Sequence, residues 1–391
     1  MTVRAFVSQR RAAAIVAASP AAAWWLERLI RMPSAGWFSA DGVFPIGGDL
    51  RTLYSAAYLV VHRAGDVVYN AERFRHIYAA SLGEYGPFAN PPPLLVLIAP
   101  LGWLSFETAW WVLAGLSVAG IVAGLSLMGV RRFAAGAVAA LMFPPVYFTI
   151  TFGQVSVLWL VVFAGVYRLL RADRPVAAGA VAGLMIMKPT LALGLAVWWL
   201  LDWRRYRVVV VSALAAAAAY LAASYAILPS VWAHYARSAE ELLTDPGNPL
   251  RQWAQFSLWS AWRITFPTLP TLALVVGMVS LGIGIFVLVP LLRRASDIDA
   301  SFALAIIVTV LLTPYVIAYD WLLLLLAGAV LWRRARSTRL EIGMSLVVLV
   351  SGFSTVLSIA MIDRFGFAVQ IAPLALLAAA WVYREDLVTL S

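Results

Sequence analysis

Long apolar runs punctuated by arginine clusters dominate this sequence, and they leave few architectures open. Twelve such runs are legible, at 12–31, 105–128, 133–151, 154–170, 175–189, 190–202, 206–228, 268–291, 299–315, 318–333, 340–361 and 366–383. At 1.5 Å per residue, about 20 helical residues cross the ~30 Å hydrocarbon core of a bilayer. Inside that core every backbone polar group needs an internal partner, so the runs predict helices. Composition agrees: 12% of the 391 residues are charged, against about 25% in soluble domains, and 63% are hydrophobic. The expected fold class is an all-α polytopic membrane protein with about ten to twelve transmembrane helices, forming one domain over 1–391.

The net charge of +10 does not point to nucleic acid, because the basic residues form no stripe. Arg10-Arg11, Arg131-Arg132, Arg204-Arg205, Arg293-Arg294 and Arg333-Arg334 each flank an apolar run, the positive-inside pattern. With a cytoplasmic N-terminus and twelve spans, 18 of the 29 Lys and Arg residues fall inside and both termini are cytoplasmic. The run 12–23 lacks a cleavage site and reads as an uncleaved first helix. Two hydrophilic segments, 32–91 and 229–267, then share the outer face. Runs 175–189 and 190–202 are each too short to span, and Pro189 sits at their join. They predict a broken hairpin that turns inside the protein. Residues 50–63 predict an interfacial helix with Leu50, Leu53, Tyr54, Ala57, Tyr58 and Val61 on one face. Residues 92–104 predict a segment that dips without crossing.

Chemistry-bearing residues cluster near the predicted outer face. Asp49 follows Gly47-Gly48 at the first outer segment, placed as a general base or as the N-cap of a helix near Leu50. Asn90-Pro91-Pro92-Pro93 is either a stiff helix lead-in or a rigid cavity wall. Gln154 offers two donors and an acceptor to sugar hydroxyls, or caps the helix that follows. Lys188 is the only lysine in the chain and lies within an apolar run beside Pro189. A cation there is costly, which favours a phosphate-binding role over snorkelling to an interface. In the second outer segment, Arg237 and Arg251 are candidate phosphate ligands, and His234 is a candidate substrate contact among interleaved tryptophans. Tyr319-Asp320 lies at a late outer turn, Tyr319 as a cavity wall opposite Asp49 and Asp320 with an N-cap alternative. The chain has no cysteine, its three histidines lack metal spacing, and no nucleotide-binding or nucleophile-elbow motif occurs, so neither metal nor cofactor is expected.

In order along the chain stand Gly48-Asp49 before a Tyr-containing helix, Gly65-Asp66-Val67-Val68-Tyr69, Phe88-Ala89-Asn90-Pro91-Pro92-Pro93, Gly153-Gln154, Lys188-Pro189, and Thr313-Pro314 with Tyr319-Asp320. This ordered set, from about residue 45 to 335, resembles glycosyltransferase family 87, whose best-known members are α-1,2-mannosyltransferases using polyprenyl-phosphate mannose. The resemblance implies a GT-C fold in a bacterial inner (plasma) membrane, with the active site on the periplasmic side. It implies inverting, metal-independent transfer from a polyprenyl-phosphate sugar to a lipid or glycan acceptor. Asp49 would be the general base. Tyr319 departs from the pattern, since some relatives carry histidine there. A multi-pass transporter or flippase is the competing class. It would be expected to show inverted repeats, and none is legible in the sequence.

Overall fold

The computed structural model describes residues 19–27, 30, 46–70, 72–74, 76, 88–130, 140–244, 255–334 and 338–388. These residues form helices and connecting turns. In chain order the helices are α1 (Gly48–Val61), α2 (Pro92–Ile98), α3 (Phe106–Leu127), α4 (Pro144–Phe152), α5 (Ser156–Arg171), α6 (Pro175–Ala182), α7 (Leu193–Leu201) and α8 (Trp203–Ile227). They continue as α9 (Pro229–Thr244), α10 (Ala261–Thr265), α11 (Pro270–Arg294), α12 (Ile298–Leu312), α13 (Leu324–Arg334), α14 (Thr338–Phe365), α15 (Ile371–Val382) and α16 (Arg384–Val388). Phe106–Leu127, Trp203–Ile227, Pro270–Arg294 and Leu340–Ile362 are long and apolar enough to cross a membrane. Shorter apolar helices, among them Pro175–Met187, Pro189–Leu201 and Ile298–Leu312, pack between them.

Local chemistry sets the helix ends. Pro92, Pro144, Pro175 and Pro270 sit in first turns, where the missing N–H costs nothing. The side chains of Ser105 and Asp297 cap α3 and α12 by accepting from the N–H of Thr108 and Ala300. Arg168 and Arg171 close α5, and Arg293 and Arg294 close α11, where cations complement the helix dipole.

The run 175–202 folds as a hairpin. A 3₁₀ turn, Gly183–Met187, extends α6 to Lys188, and a second one, Pro189–Ala192, leads into α7. Lys188 itself is extended (φ −148°, ψ 71°), as a residue before proline prefers. The direction then reverses. Thr313 Oγ1 donates to the Thr190 carbonyl at one end of α12, while Gly194 packs on the Ala305 backbone further down, so α7 and α12 are antiparallel. A Cβ at Gly194 would come within 1.8 Å of the Ala305 oxygen, so only glycine permits this approach. The reversal satisfies the expectation of two separate short segments.

α1 departs from the interfacial helix expected over 50–63. Leu50, Leu53 and Ala57 of the expected apolar face are buried in the protein, but so are Arg51, Ser55 and Ala56, while Tyr58 is exposed. Protein rather than lipid covers this face. The turn Ala99–Trp103 lies against α1, with Gly102 on the Ala57 carbonyl.

α5 and α12 give the bundle two distinct ends. Ser156 and Thr313 mark one; Arg171 and Asp299 mark the other, about 22 Å away along either helix. The first end is recessed. Leu312 packs at Gly284 of α11, and α11 continues to Pro270, about 20 Å further. Residues 255–265 fill this extra height. Phe256 N–H donates to the Val316 carbonyl, Leu258 N–H to the Leu311 carbonyl, and Trp259 packs against Gly277.

Candidate active site

The recessed end gathers two polar pairs. In the first, Gly47 precedes α1 in a left-handed conformation (φ 70°) and donates its N–H to the Thr151 carbonyl at 2.7 Å. That bond ties the start of α1 to the end of α4. Gly47 is therefore the N-cap, and Asp49 lies inside the first turn, where the helix dipole favours a carboxylate. Gly153, at φ 68°, terminates α4 and turns Gln154 towards α1. Gln154 Nε2 donates to Asp49 Oδ2 at 2.6 Å. Trp110 Nε1 donates to the Ile150 carbonyl and steadies this junction from α3. Asp49 remains half-buried, so a substrate can reach it.

The second pair is ionic. Lys188 Nζ lies 2.5 Å from Asp320 Oδ1 and 5.2 Å from the centre of the Tyr319 ring. Asp320 is fully buried, while Lys188 is 15% exposed. The Ile317 N–H donates to Asp320 Oδ2 at 3.1 Å, and Ser156 Oγ approaches Oδ1 at 3.5 Å. Asp320 is therefore not the N-cap expected from the sequence: Ile317 holds that position, and Asp320, three residues on, reaches back to its N–H while the same carboxylate orients Lys188. Trp321 Nε1 donates to the Phe256 carbonyl and locks this turn against residues 255–265. A cation so close to a buried carboxylate satisfies the burial cost that a lone lysine would carry.

One turn joins the two pairs. Gln154 holds Asp49 and Ser156 approaches Asp320, and residues two apart keep their Cα atoms within about 7 Å. Of the residues singled out in the sequence, Asp49, Gln154, Lys188, Tyr319 and Asp320 therefore meet at one place. Asn90 contributes its backbone. Its carbonyl accepts from Tyr69 Oη at 2.5 Å, and Pro91–Pro93 simply start α2. Burial, and then the nearby Tyr235 phenol, push Tyr69 well above the ordinary tyrosine range, so it stays a neutral donor. His234 and Arg237 lie on α9, which packs on the first hydrophilic segment through Val231 against Gly65 and Tyr235 against Tyr69. Arg237 is exposed and donates to the Ala233 carbonyl of its own helix. Arg251 lies outside the described residues.

Two residues at this end carried no signal that separated them from their neighbours. Ser156 reads as an ordinary helix-start serine. Arg51 is buried, with its guanidinium 5.5 Å from the Phe106 ring centre, yet in the sequence it reads as a polar-face residue. A reachable carboxylate beside an ion-paired ammonium can accept a proton while a neighbouring cation receives negative charge. The profile of glycosyltransferase family 87 matches residues 88–314, more than half of the chain. The chain belongs to that family. No curated protein and no solved structure matches it. This family 87 member is a membrane glycosyltransferase. Gln154 and Lys188 fall within the matched stretch, while Asp49 and Asp320 lie outside it.

Proposed function

We propose that this enzyme transfers a hexose, mannose or a close relative, from a polyprenyl-phosphate donor to a lipid or glycan acceptor, with inversion at the anomeric carbon. The observation that carries the reading is the junction of Asp49–Gln154 with Lys188–Asp320 through one turn, in a family 87 membrane protein. Asp49 takes the proton of the acceptor hydroxyl as its oxygen attacks the anomeric carbon. The bond from that carbon to the phosphate oxygen breaks, and polyprenyl phosphate leaves carrying the electron pair. Lys188 has three donors and spends one on Asp320, so the others are available for the departing phosphate. Asp320 is the weaker candidate for the base, because it is fully buried and already holds Lys188 and the Ile317 N–H. Arg237 and Arg251 of the second hydrophilic segment are further candidate phosphate ligands, and His234 and Asn90 candidate substrate contacts. In this reading the site faces the periplasmic side of a bacterial inner membrane, with both termini cytoplasmic. A membrane setting suits such a donor, which arrives sideways from the bilayer.

The test is transfer from radiolabelled polyprenyl-phosphate sugars to membrane lipid extract by purified enzyme. Asp49→Asn keeps the acceptor for Gln154 but loses the base. It is expected to slow transfer by about 10²–10⁴-fold with an unchanged melting temperature. Wild-type rates from the Asp49→Asn protein would remove Asp49 as the base.

A further inference from the structure

The other end of the α5–α12 pair holds a second polar cluster, which the transfer reaction does not use. Asp299 is fully buried at the start of α12. Arg171 Nη1 donates to its Oδ1 at 2.6 Å and Arg333 Nη2 to its Oδ2 at 3.1 Å. Tyr167 Oη donates to Oδ1 at 2.8 Å and accepts from Arg333 Nη2 at 2.6 Å. Arg333 Nη1 also reaches the Met128 carbonyl at 2.6 Å. Two guanidiniums thus share one carboxylate, which leaves an excess of one positive charge. Both arginines keep an open side, with Arg171 43% and Arg333 38% exposed.

These three charged residues form one corner of a cavity of about 1210 Å³. It lies between the end of α3, the start of α4, and helices α13, α14 and α15. The remaining wall is mostly apolar, with Phe143, Leu325, Met344, Val348 and Leu376 among its residues beside Ser345 and Tyr383. Small-molecule sites usually occupy roughly 300–1,000 Å³ and converge several polar groups on the ligand. This cavity is larger, and the charged residues of its lining are Arg171, Asp299 and Arg333, which meet at one corner.

We infer that the cavity binds an anionic phospholipid, its acyl chains along the apolar wall and its phosphate on the Arg171–Arg333 fork. The chemistry selects the occupant. Hydrocarbon alone leaves the excess charge uncompensated, and free phosphate leaves the apolar wall uncovered. Guanidinium forks match phosphate oxygens in paired hydrogen bonds, which suits a headgroup phosphodiester. The reacting polyprenyl phosphate is needed at the opposite end, about 22 Å away along α5, so it does not serve here.

Gly328 lines the cavity, and a Cβ built on it meets nothing within 4 Å. Gly328→Phe therefore fills the space without a clash at the backbone. The experiment uses the full-length protein, delipidated in neutral detergent, with melting temperature and native mass spectrometry as readouts. Phosphatidylglycerol, phosphatidylcholine, polyprenyl phosphate and inorganic phosphate are added separately. Wild type is expected to show a saturable rise in melting temperature with phosphatidylglycerol alone, and one retained phospholipid. Gly328→Phe is expected to melt at or above the wild-type temperature without lipid and to lose the phosphatidylglycerol response. Arg171→Gln, which leaves Asp299 paired with Arg333, is expected to bind phosphatidylglycerol about tenfold more weakly. The inference is overturned by an equal response to phosphatidylcholine, by preferential retention of polyprenyl phosphate, by no response in wild type, or by an undiminished response in Gly328→Phe.

Discussion

Asp320 and Asp299 are both fully buried carboxylates, each held by cations from other helices, at opposite ends of the α5–α12 pair. Their partners differ. Lys188 is a single, mostly buried ammonium that neutralises Asp320 and lies over the Tyr319 ring. Arg171 and Arg333 are two guanidiniums on one carboxylate, both with a side open to their surroundings. A lysine is a compact point charge with rotatable donors, whereas arginine offers a rigid fork. In the proposed reaction, the first end thus offers one cation to a phosphate that comes and goes. The second presents a fixed fork beside a large apolar cavity, suited to a ligand that stays. The same pairing of acid and base can therefore serve turnover or anchoring, according to how the cations meet solvent.

The largest expected effect breaks the first end. Lys188→Met leaves Asp320 buried without its cation, which costs about 3–5 kcal/mol, and removes the charge proposed to receive the leaving phosphate. Transfer is expected to fall by at least about 100-fold, since charge stabilisation is commonly the largest catalytic contribution. Because Lys188→Met also destabilises, Lys188→Met with Asp320→Leu supplies the control. The double variant is expected to recover much of the melting temperature, because replacing both members of a buried pair with apolar groups is often neutral. Its transfer rate is expected to remain low. Recovered transfer in the double variant would reduce the ion pair to a structural clasp.

A milder effect is expected at the second end. Asp299→Asn removes the carboxylate but leaves two arginines that already reach their surroundings, so neither is stranded. Loss of these charge-assisted bonds is expected to cost about 1–3 kcal/mol, seen as a lower melting temperature in detergent. Transfer at saturating donor is expected to stay within about threefold of wild type. A drop as deep as that of Lys188→Met would erase the division of labour between the ends.

The two ends were unequally legible in the sequence. The apolar runs and arginine clusters pointed to a membrane helix bundle because lipid allows little else. The hairpin at Lys188 was visible because neither half is long enough to span and proline forces the break. Asp49, Gln154, Lys188 and Asp320 each stood out as polar groups beside apolar runs. Their pairing did not, since Gln154 and Asp49 are 105 positions apart and Lys188 and Asp320 are 132 apart. The Asp299 cluster was hidden more thoroughly. Arg171 and Arg333 read as members of the flanking basic clusters, and Asp299 as a polar residue at the start of a run. Only packing shows that they converge. The face of α1 was misjudged for a related reason, because a period-3.6 stripe does not say whether lipid or protein will cover it.

The smallest effect concerns Tyr319, which borders the Lys188–Asp320 pair. Its ring is buried and lies beneath the Lys188 ammonium, 5.2 Å from ring centre to Nζ. A cation over an aromatic face is worth about 0.5–2 kcal/mol, which corresponds to roughly 2- to 30-fold in rate if Lys188 is held less well. Tyr319→Ala is therefore expected to slow transfer within that range. Tyr319→Phe keeps the ring face and is expected to stay within about twofold. Donor titrations separate this positioning role from direct sugar binding. If Tyr319 acts through Lys188, the alanine variant lowers the rate at saturating donor and the phenylalanine variant leaves it nearly unchanged. If the hydroxyl contacts the sugar instead, Tyr319→Phe raises KM about as much as Tyr319→Ala does. That outcome would move Tyr319 from holding the cation to holding the substrate.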